Sequence, residues 1–204
     1  MNSGIMDDAP ADFDARLAAR LRALRHARSL TLDGLAQHSG VSRSMISLVE
    51  RGESSPTASI LERLSAGLGV SLAALFSSEE REDASPLSRR ADQRCWRDPG
   101  TGYQRRNLSP PGFASPLDLV EVELPPGATV AYDSTRVPPL EQQVWVLDGT
   151  VVVTLGAEVH RLAAGDCLAM RVDRPVAFHN PAGHPARTLV AVATGARAEH
   201  RGAP

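Results

Sequence analysis

Thr31–Glu53, TLDGLAQHSGVSRSMISLVERGE, is the stretch that decides the fold of the N-terminal part of this chain. Its apolar residues recur at helical spacing on both sides of Gly40, which predicts two short helices joined by a tight turn. Gly40 stands where the first helix would end in a left-handed conformation, which costs glycine little. Ser42 would then cap the second helix with its hydroxyl oxygen.

The second predicted helix has a polar outer face. Val41, Ile46 and Val49 would point inward, which leaves Arg and Ser side chains outside. Such a face fits the DNA major groove, because Arg bonds guanine bidentately, Ser bonds a base or a phosphate, and Leu touches a thymine methyl. The outer residues are Ser42, Arg43, Ser44, Ser47, Leu48 and Arg51. The alternative is an ordinary pair of surface helices.

Charge is unevenly spread over the 204 residues, although the net charge is only −2. All 22 basic residues are Arg. Between Phe13 and Leu32, Arg16, Arg20, Arg22, Arg25 and Arg28 accompany a single acid, Asp14, whereas Ser77–Asp83 holds four acids and one Arg. Basic charge is therefore local to the candidate DNA-binding segment, as electrostatic steering requires.

The N-terminus and the cysteines exclude several classes of protein. The first residues are acidic and contain no apolar signal-peptide core, and no apolar run is long enough for a bilayer, so we expect a cytoplasmic protein. Cys95 and Cys167 are isolated, which argues against a zinc site or a disulfide framework. Cys95, flanked by Arg94 and Arg97, is the candidate for a redox-sensing alternative, and Cys167 is expected in the core.

The pattern divides the chain into two domains and a linker. Residues 12–76 predict a five-helix bundle, with Leu17, Leu21 and Leu24 on one helix face. Pro56 is predicted as the first residue of the fourth helix with Ser55 as its cap, and the buried stripe of that helix is Ile60, Leu61, Leu64 and Leu68. Residues 77–92 are acidic and predict a linker.

Residues 93–197 change to a period of two and predict an all-β sandwich or barrel. The predicted strands are LDLVEVEL, QQVWVLDG, TVVVTLG, EVHRL, DCLAMRV, PVAFHN and ARTLVAVA. Turn signals separate them at 125–127, 148–149, 155–158 and 163–166. The fold class is therefore α+β as two domains.

LAQHSGVSRSMISLVERGESSPT and LERLSAGLGVSLAALF resemble the XRE family of phage-repressor-like helix-turn-helix domains over residues 16–76. The resemblance implies that Ser42–Arg51 is the recognition helix. It also implies phosphate contacts from Thr31, Gln37 and Ser54 or Ser55.

Residues 115–193 resemble a cupin, a small double-stranded β-barrel, through QQVWVLDG and the segment from Gly165 to Asn180. An XRE domain followed by a cupin is typical of bacterial transcription regulators whose barrel senses a ligand and dimerises. The family's metal-binding positions fall among Thr135–Pro138, on Gln142 and on Val176, and none of these is His or Glu. A divalent metal ion would need imidazole nitrogen or carboxylate oxygen at these positions, so we expect a metal-free barrel without a cofactor.

If the cupin register holds, Gln142, Val144, Val146, Val176, Phe178 and Asn180 face the lumen. Such an apolar space with two amides suits a small, largely neutral ligand, although the same side chains would equally fill a small barrel. Trp145 would point outward, toward a second subunit or toward the chain's own Cys95–Trp96 segment.

Glu141, His160 and His179 are the nearby ionisable residues, and strand alternation argues against a metal site built from them. The sequence thus predicts a homodimeric regulator that binds a pseudo-palindromic double-stranded DNA operator, and it leaves open whether a small-molecule effector binds in the barrel. The alternative is a cupin enzyme with a helix-turn-helix-like accessory domain, as in hydroxypropylphosphonate epoxidases, whose iron triad this chain lacks.

Overall fold

The computed structural model describes residues 10–76, 82–133 and 139–193, with side chains from Asp14 onward. The N-terminal part is helical and the C-terminal part consists of two antiparallel sheets. The α-helices of the described ranges are α1 Pro10–Ala27, α2 Leu32–Ser39, α3 Arg43–Glu50, α4 Ala58–Gly67 and α5 Leu72–Phe76. None of them combines the length and apolar character that crossing a bilayer requires.

The turn between α2 and α3 has the geometry that its sequence predicts. Gly40 has φ of 65°, in the left-handed region, and its N–H donates to the carbonyl of Ala36. The Ser42 hydroxyl accepts a hydrogen bond from the backbone N–H of Met45 at 3.3 Å, which caps α3. Val41, Ile46 and Val49 are all buried, so α3 packs with the predicted face inward.

The predicted start of α4 is wrong by two residues. Thr57, not Ser55, is its N-cap, and Pro56 precedes the helix instead of opening it. Thr57 adopts extended backbone, as a cap requires, and its hydroxyl accepts from the N–H of Ile60. Ile60 is half-buried, while Leu61, Leu64 and Leu68 form the buried stripe.

Ten strands form the C-terminal part within the described ranges. They are β1 Cys95–Arg97, β2 Gln104–Asn107, β3 Leu117–Leu124, β4 Thr129–Tyr132, β5 Leu140–Asp148, β6 Thr150–Leu155, β7 Glu158–Ala163, β8 Cys167–Val172, β9 Val176–His179 and β10 Ala186–Ala193. One sheet has the order β1-β2-β3-β10-β5-β8 and the other the order β4-β9-β6-β7. Buried and more exposed positions alternate along β3, β5, β6 and β10, so each of these strands has one face turned inward. The buried Val and Leu side chains of both sheets belong to one core.

The two parts of the chain pack directly against each other. The Asp98 carboxylate, which follows β1, accepts a hydrogen bond from the N–H of Ala58, the first residue of α4, at 2.8 Å. The Trp96 ring packs against Phe76 of α5 with centroids 5.7 Å apart and edge-on against Tyr103 at 6.0 Å. The helical domain is therefore attached to the β domain through α4 and α5.

Candidate nucleic-acid interface and interdomain cavity

The N-terminal end of α3 presents the polar surface that the sequence predicts. Ser42, Arg43 and Ser44 are exposed, and Ser47 and Leu48 are half-buried. The hydroxyl groups of Ser42 and Ser44 lie 3.2 Å apart. Since the opposite face of α3 is buried, these side chains form a projecting edge of the helical domain.

Two arginines of this surface already have acidic neighbours. Arg43 Nε lies 3.3 Å from the Asp33 carboxylate, with both side chains mostly exposed. Arg51 forms two 2.8 Å hydrogen bonds with Glu53 and also contacts the Ser47 hydroxyl. The Glu53 carboxylate raises the pKa of Arg51, and in return the pKa of Glu53 is lowered. A DNA phosphate or base would compete with these exposed carboxylates for both guanidinium groups.

The predicted phosphate contacts lie on either side of α3. Gln37 is exposed, and Thr31, also exposed, uses its hydroxyl oxygen to accept from the N–H of Gly34 at 3.0 Å. Ser54 is half-buried with its hydroxyl 4.0 Å from the sulfur of Met45. Ser55 is exposed and donates to the Asp14 carboxylate, so its surroundings are more acidic than a phosphate contact favours.

A buried ion pair fixes the C-terminal end of α3. Arg25 of α1 donates from Nε and from a terminal nitrogen to the two carboxylate oxygens of Glu50, both at 2.7 Å, and also to the carbonyl of Leu30 at 2.9 Å. The hydrogen bond with Glu50 raises the pKa of Arg25. Arg25 therefore belongs to the basic N-terminal segment but contributes its charge to this buried pair, where it helps to hold α3 against α1.

A second candidate site, which we call the interdomain cavity, lies inside the β domain where α4 and α5 cover it. Its volume is about 80 Å³. Four of the predicted lumen residues line it: Gln142, Val144, Val176 and Phe178. The helical domain contributes Glu62, Ser71, Leu72 and Ala73. Space therefore remains between these side chains, and residues of the helical domain form part of its wall.

Two predicted lining residues do not line the cavity. Val146 is buried in the core but does not border the cavity. Asn180 is fully buried, and its side-chain amide donates to the carbonyls of Leu124, Pro125 and His184 at 2.8–3.1 Å, while its oxygen accepts from Ala182. Asn180 therefore organises two loops and offers nothing to a ligand.

The cavity also contains charged and phenolic groups that the sequence does not reveal. Arg105 of β2 and Tyr132 of β4 line it together with Glu62 of α4. Burial raises the pKa of Tyr132 well above its ordinary value, with a smaller effect from a hydrogen bond with Tyr103. The sequence does not predict that these residues line the cavity. β2 has the sequence QRRN, which shows no alternation of apolar and polar residues, and Glu62 lies in α4, far in sequence from the strands.

The described residues do not fit the metal that many cupins hold. Gln142 occupies the family's Glu position and contacts the sulfur of Met170 at 3.5 Å, and Val176 occupies the last His position. Thr135–Pro138, where the first two His positions fall, lie outside the described residues. Within the described ranges no cluster of three or more His, Cys, Asp or Glu is arranged to hold a metal ion.

His160, His179 and Glu141 do not converge on one point. In the strand register His160 faces Val153 and His179 faces Val152, and these adjacent residues point to opposite faces of β6. His160 lies 3.7 Å from Glu158, and His179 lies 2.9 Å from the Thr129 hydroxyl. Glu141 belongs to the other sheet.

The two thiols also differ from expectation. Cys167, expected in the core, is exposed on the outer face of the six-stranded sheet. Cys95 is half-buried, and its thiol lies 3.9 Å from the side-chain oxygen of Gln104. The Trp145 side chain is 47% exposed and lies on the same outer face as Cys167, whereas Trp96 packs on Phe76 and Tyr103.

Comparison with protein families agrees with this architecture. Residues 16–75 match a helix-turn-helix domain model, and residues 120–192 match a cupin domain model. The chain therefore joins a helix-turn-helix domain to a cupin domain. These two domains correspond to the helical part and the β-sheet part of the structure.

Similar proteins share this layout. The chain is 27% identical to the HTH-type transcriptional regulator PuuR of Escherichia coli over 165 residues, which cover 79% of this chain and 85% of PuuR. It is 39% identical to the E. coli regulator SutR over 61 residues, 30% of this chain and 34% of SutR. A crystal structure of an HTH_3 family transcriptional regulator from Vibrio cholerae superposes with a TM-score of 0.73 at 26% identity, covering 92% of this chain and all of that one. These likenesses favour a DNA-binding regulator over a cupin enzyme.

Proposed function

We propose that this protein is a sequence-specific transcriptional regulator that inserts α3 into the DNA major groove. The observation that carries the proposal is the two-sided character of α3: Ile46 and Val49 are buried, while Arg43 and Ser44 project at its N-terminal end. Residues at the N-terminal end of a recognition helix are the ones that reach base edges in helix-turn-helix complexes.

The contacts divide by chemistry. Base contacts would come from Arg43, Ser44, Ser47 and Leu48, and further DNA contacts from Ser42 and Arg51. Phosphate contacts would come from residues that flank α3 and would fix its orientation on the duplex: Thr31, Gln37 and Ser54, and Ser55 once DNA displaces the Asp14 carboxylate from its hydroxyl. A regulator with these contacts would act in the cytoplasm, where its operator DNA lies.

We propose that the protein binds its operator as a homodimer. One helix-turn-helix domain makes few base contacts, and two of them would read half-sites of a pseudo-palindromic operator about one helical turn (~34 Å) apart. For the dimer surface we propose the outer face of the six-stranded sheet, where Trp145 and Leu147 are exposed and Leu189 lies beside Trp145 in register. Exposed apolar patches of this kind commonly mark protein interfaces.

The proposed domain limits are 12–76 for DNA binding, 77–92 for the linker and 93–197 for a closed cupin barrel. The barrel would work without metal or cofactor and would receive a small-molecule effector in the interdomain cavity. Because α4 and α5 form part of the cavity wall, an effector there would shift the population of domain or dimer arrangements that fit the operator.

If the protein were a cupin enzyme, the purified protein would contain a bound metal ion. A cupin oxygenase needs His and carboxylate ligands for its metal, and Gln142 and Val176 supply neither. Metal analysis of the purified chain tests this directly: stoichiometric iron, manganese or nickel would contradict the metal-free proposal and revive the enzyme.

Selection of duplexes from genomic fragments, followed by footprinting, tests DNA recognition. We expect a protected site with two related half-sites and affinity well above that for bulk DNA at physiological salt. Arg43→Ala should lose roughly 1–3 kcal/mol of binding free energy and relax the preference at one base pair per half-site. Arg171→Ala, on the exposed face of β8, is the control and should bind like the wild type. Absence of any preferred sequence would contradict the proposal.

Light scattering tests the dimer. The wild-type chain should have twice the mass of one protomer, and Trp145→Glu should shift it to a monomer at micromolar concentration. Val159→Glu is the matched control, because Val159 is even more exposed, at 65%, but lies on β7 of the other sheet. A monomeric wild type, or a Val159→Glu variant that dissociates equally, would refute this interface.

A further inference from the structure

Arg105 has an unusual environment for a cation. Its side chain lines the interdomain cavity and the residue is only 7% exposed. The Nε atom is buried without a hydrogen-bond partner. Within residues 10–76, 82–133 and 139–193, no side chain or carbonyl group forms a hydrogen bond or an ion pair with this guanidinium. Buried charges in proteins are almost always paired, so an unpaired one in a cavity indicates a missing anion.

The contacts of Arg105 do not replace such a partner. The guanidinium carbon lies 5.6 Å from the centroid of the Phe76 ring, a cation–π contact that recovers only part of the lost hydration. Asp118 interacts with Arg105 only through a longer-range charge effect. Burial raises the pKa of Asp118, and the positive charge of Arg105 offsets part of that increase. Asp118 does not come within the 4.0 Å of an ion pair.

We propose that a small organic monocarboxylate binds in the interdomain cavity with its acid group against the guanidinium of Arg105. The planar fork of Arg matches a carboxylate bidentately. The apolar part of the acid would contact Val144, Val176 and Phe178, which line the same space. This ligand class replaces the neutral molecule expected from the sequence, because the sequence did not reveal a buried cation in the lumen.

The cavity limits both the charge and the size of the ligand. Glu62 reaches the cavity from α4, and its carboxylate repels every negative charge on a ligand. The charge that pairs with Arg105 is compensated and a second one is not, which disfavours dicarboxylates and phosphate esters. A volume of about 80 Å³ exceeds several-fold the ~10–15 Å³ that one water molecule needs. A short-chain or single-ring acid is therefore the expected occupant.

The position of Arg105 connects the ligand to the DNA-binding domain. Phe76, which forms the cation–π contact with Arg105, belongs to α5, and Leu72 and Ala73 of the same helix line the cavity. A carboxylate that neutralises Arg105 would weaken the cation–π contact between its guanidinium and Phe76 of α5. The effect of this change on operator affinity rests on the proposed function, whereas binding of the acid itself does not.

Thermal shift and calorimetry on the full chain test the binding step. The probes are straight-chain carboxylates from acetate to octanoate and benzoate, each compared with its uncharged amide. We expect at least one acid to raise Tm and to bind at least tenfold more tightly than its amide, since only the acid pairs with Arg105. Equal effects of acid and amide, or no acid binding below about 10 mM, would overturn the proposal.

Two variants assign the effect to Arg105. Arg105→Met removes a buried unpaired charge while keeping most of the volume, so it should fold with an unchanged or higher Tm and lose at least tenfold in acid affinity. Arg106→Met, the neighbour on β2 that pairs with Glu121 at 3.7 Å, should keep the affinity. Retained affinity in Arg105→Met contradicts the assignment. A chain that binds the acid but no operator would overturn the proposed function and leave the carboxylate site standing.

Discussion

The Asp98 carboxylate and the backbone N–H of Ala58 form a buried 2.8 Å hydrogen bond between residues 40 positions apart. Ala58 opens α4, where backbone N–H groups lack partners within the helix. Asp98 also accepts from the N–H and the hydroxyl of Thr101 at 2.8 and 2.6 Å, which holds the carboxylate in place. The β domain therefore caps a helix of the DNA-binding domain, and the two domains should unfold as coupled units.

Asp98→Ala should weaken this coupling. The substitution leaves a buried N–H without its acceptor and removes a negative charge from the N-terminal end of α4, at a cost of about 1–3 kcal/mol. Denaturation followed by tryptophan fluorescence in a Trp145→Phe background, which leaves Trp96 at the domain contact as the reporter, should show a lower midpoint, and hydrogen exchange in α4 should accelerate. Thr101→Val keeps the cap and should cost less. Equal losses in both variants would show that the turn, not the cap, matters.

The ion pair between Arg25 and Glu50 should be required to hold α3, the proposed recognition helix, in place. Removing one partner leaves a buried charge uncompensated, so Glu50→Gln or Arg25→Met should destabilise the chain by about 3–5 kcal/mol. The double variant should recover a large part of this loss, because no unpaired charge remains. Urea unfolding measures all three. A double variant whose loss equals the sum of the single losses would contradict strong coupling between the two side chains.

Local patterns explain why much of the fold could be predicted. The bounds of β3 and β10 agree with the strands predicted at 117–124 and 186–193, because apolar and polar residues alternate there. β2, QRRN, escaped prediction because its inward residue, Arg105, is charged, so alternation gives no signal. The Arg25–Glu50 pair could not be predicted for a related reason: the two residues lie 25 positions apart, and only the packing of α1 on α3 brings them together.

The candidate sites divide in the same way. The exposed polar face of α3, the proposed DNA-contacting surface, is a local property of one helix, so residue spacing predicts which side chains point outward. The interdomain cavity depends on contacts between distant segments, so the sequence could supply Gln142 and Phe178 through the cupin register but not Glu62 of α4.

Asp33→Asn should strengthen DNA binding. Asp33 lies 3.3 Å from Arg43 and places a negative charge beside the surface that would approach the phosphates. Removing the charge frees Arg43 and reduces repulsion, so we expect a severalfold lower Kd on the footprinted operator, with the gain largest at low salt because exposed charges are screened. The control is Asp92→Asn, an exposed acid in the 3-10 turn Arg90–Asp92. Weaker binding by Asp33→Asn would show instead that Asp33 orients Arg43 for recognition.

Gly67 should tolerate no side chain, although it lies inside a helix where Ala is normally preferred. A Cβ at Gly67 would lie 2.8–3.0 Å from the backbone and Cβ of Ser39, so α2 and α4 could not keep their present separation. Gly67→Ala should therefore destabilise the chain despite an expected gain of about 1 kcal/mol in helix propensity. Gly69→Ala is the comparison: its Cβ meets nothing within 4 Å, and only its φ of +65° opposes the substitution, at about 1–2 kcal/mol. Because α2 supports the α2–α3 turn, Gly67→Ala should also reduce operator affinity more than Gly69→Ala at temperatures where both are folded. A stabilised Gly67→Ala protein would show that the two helices separate without cost.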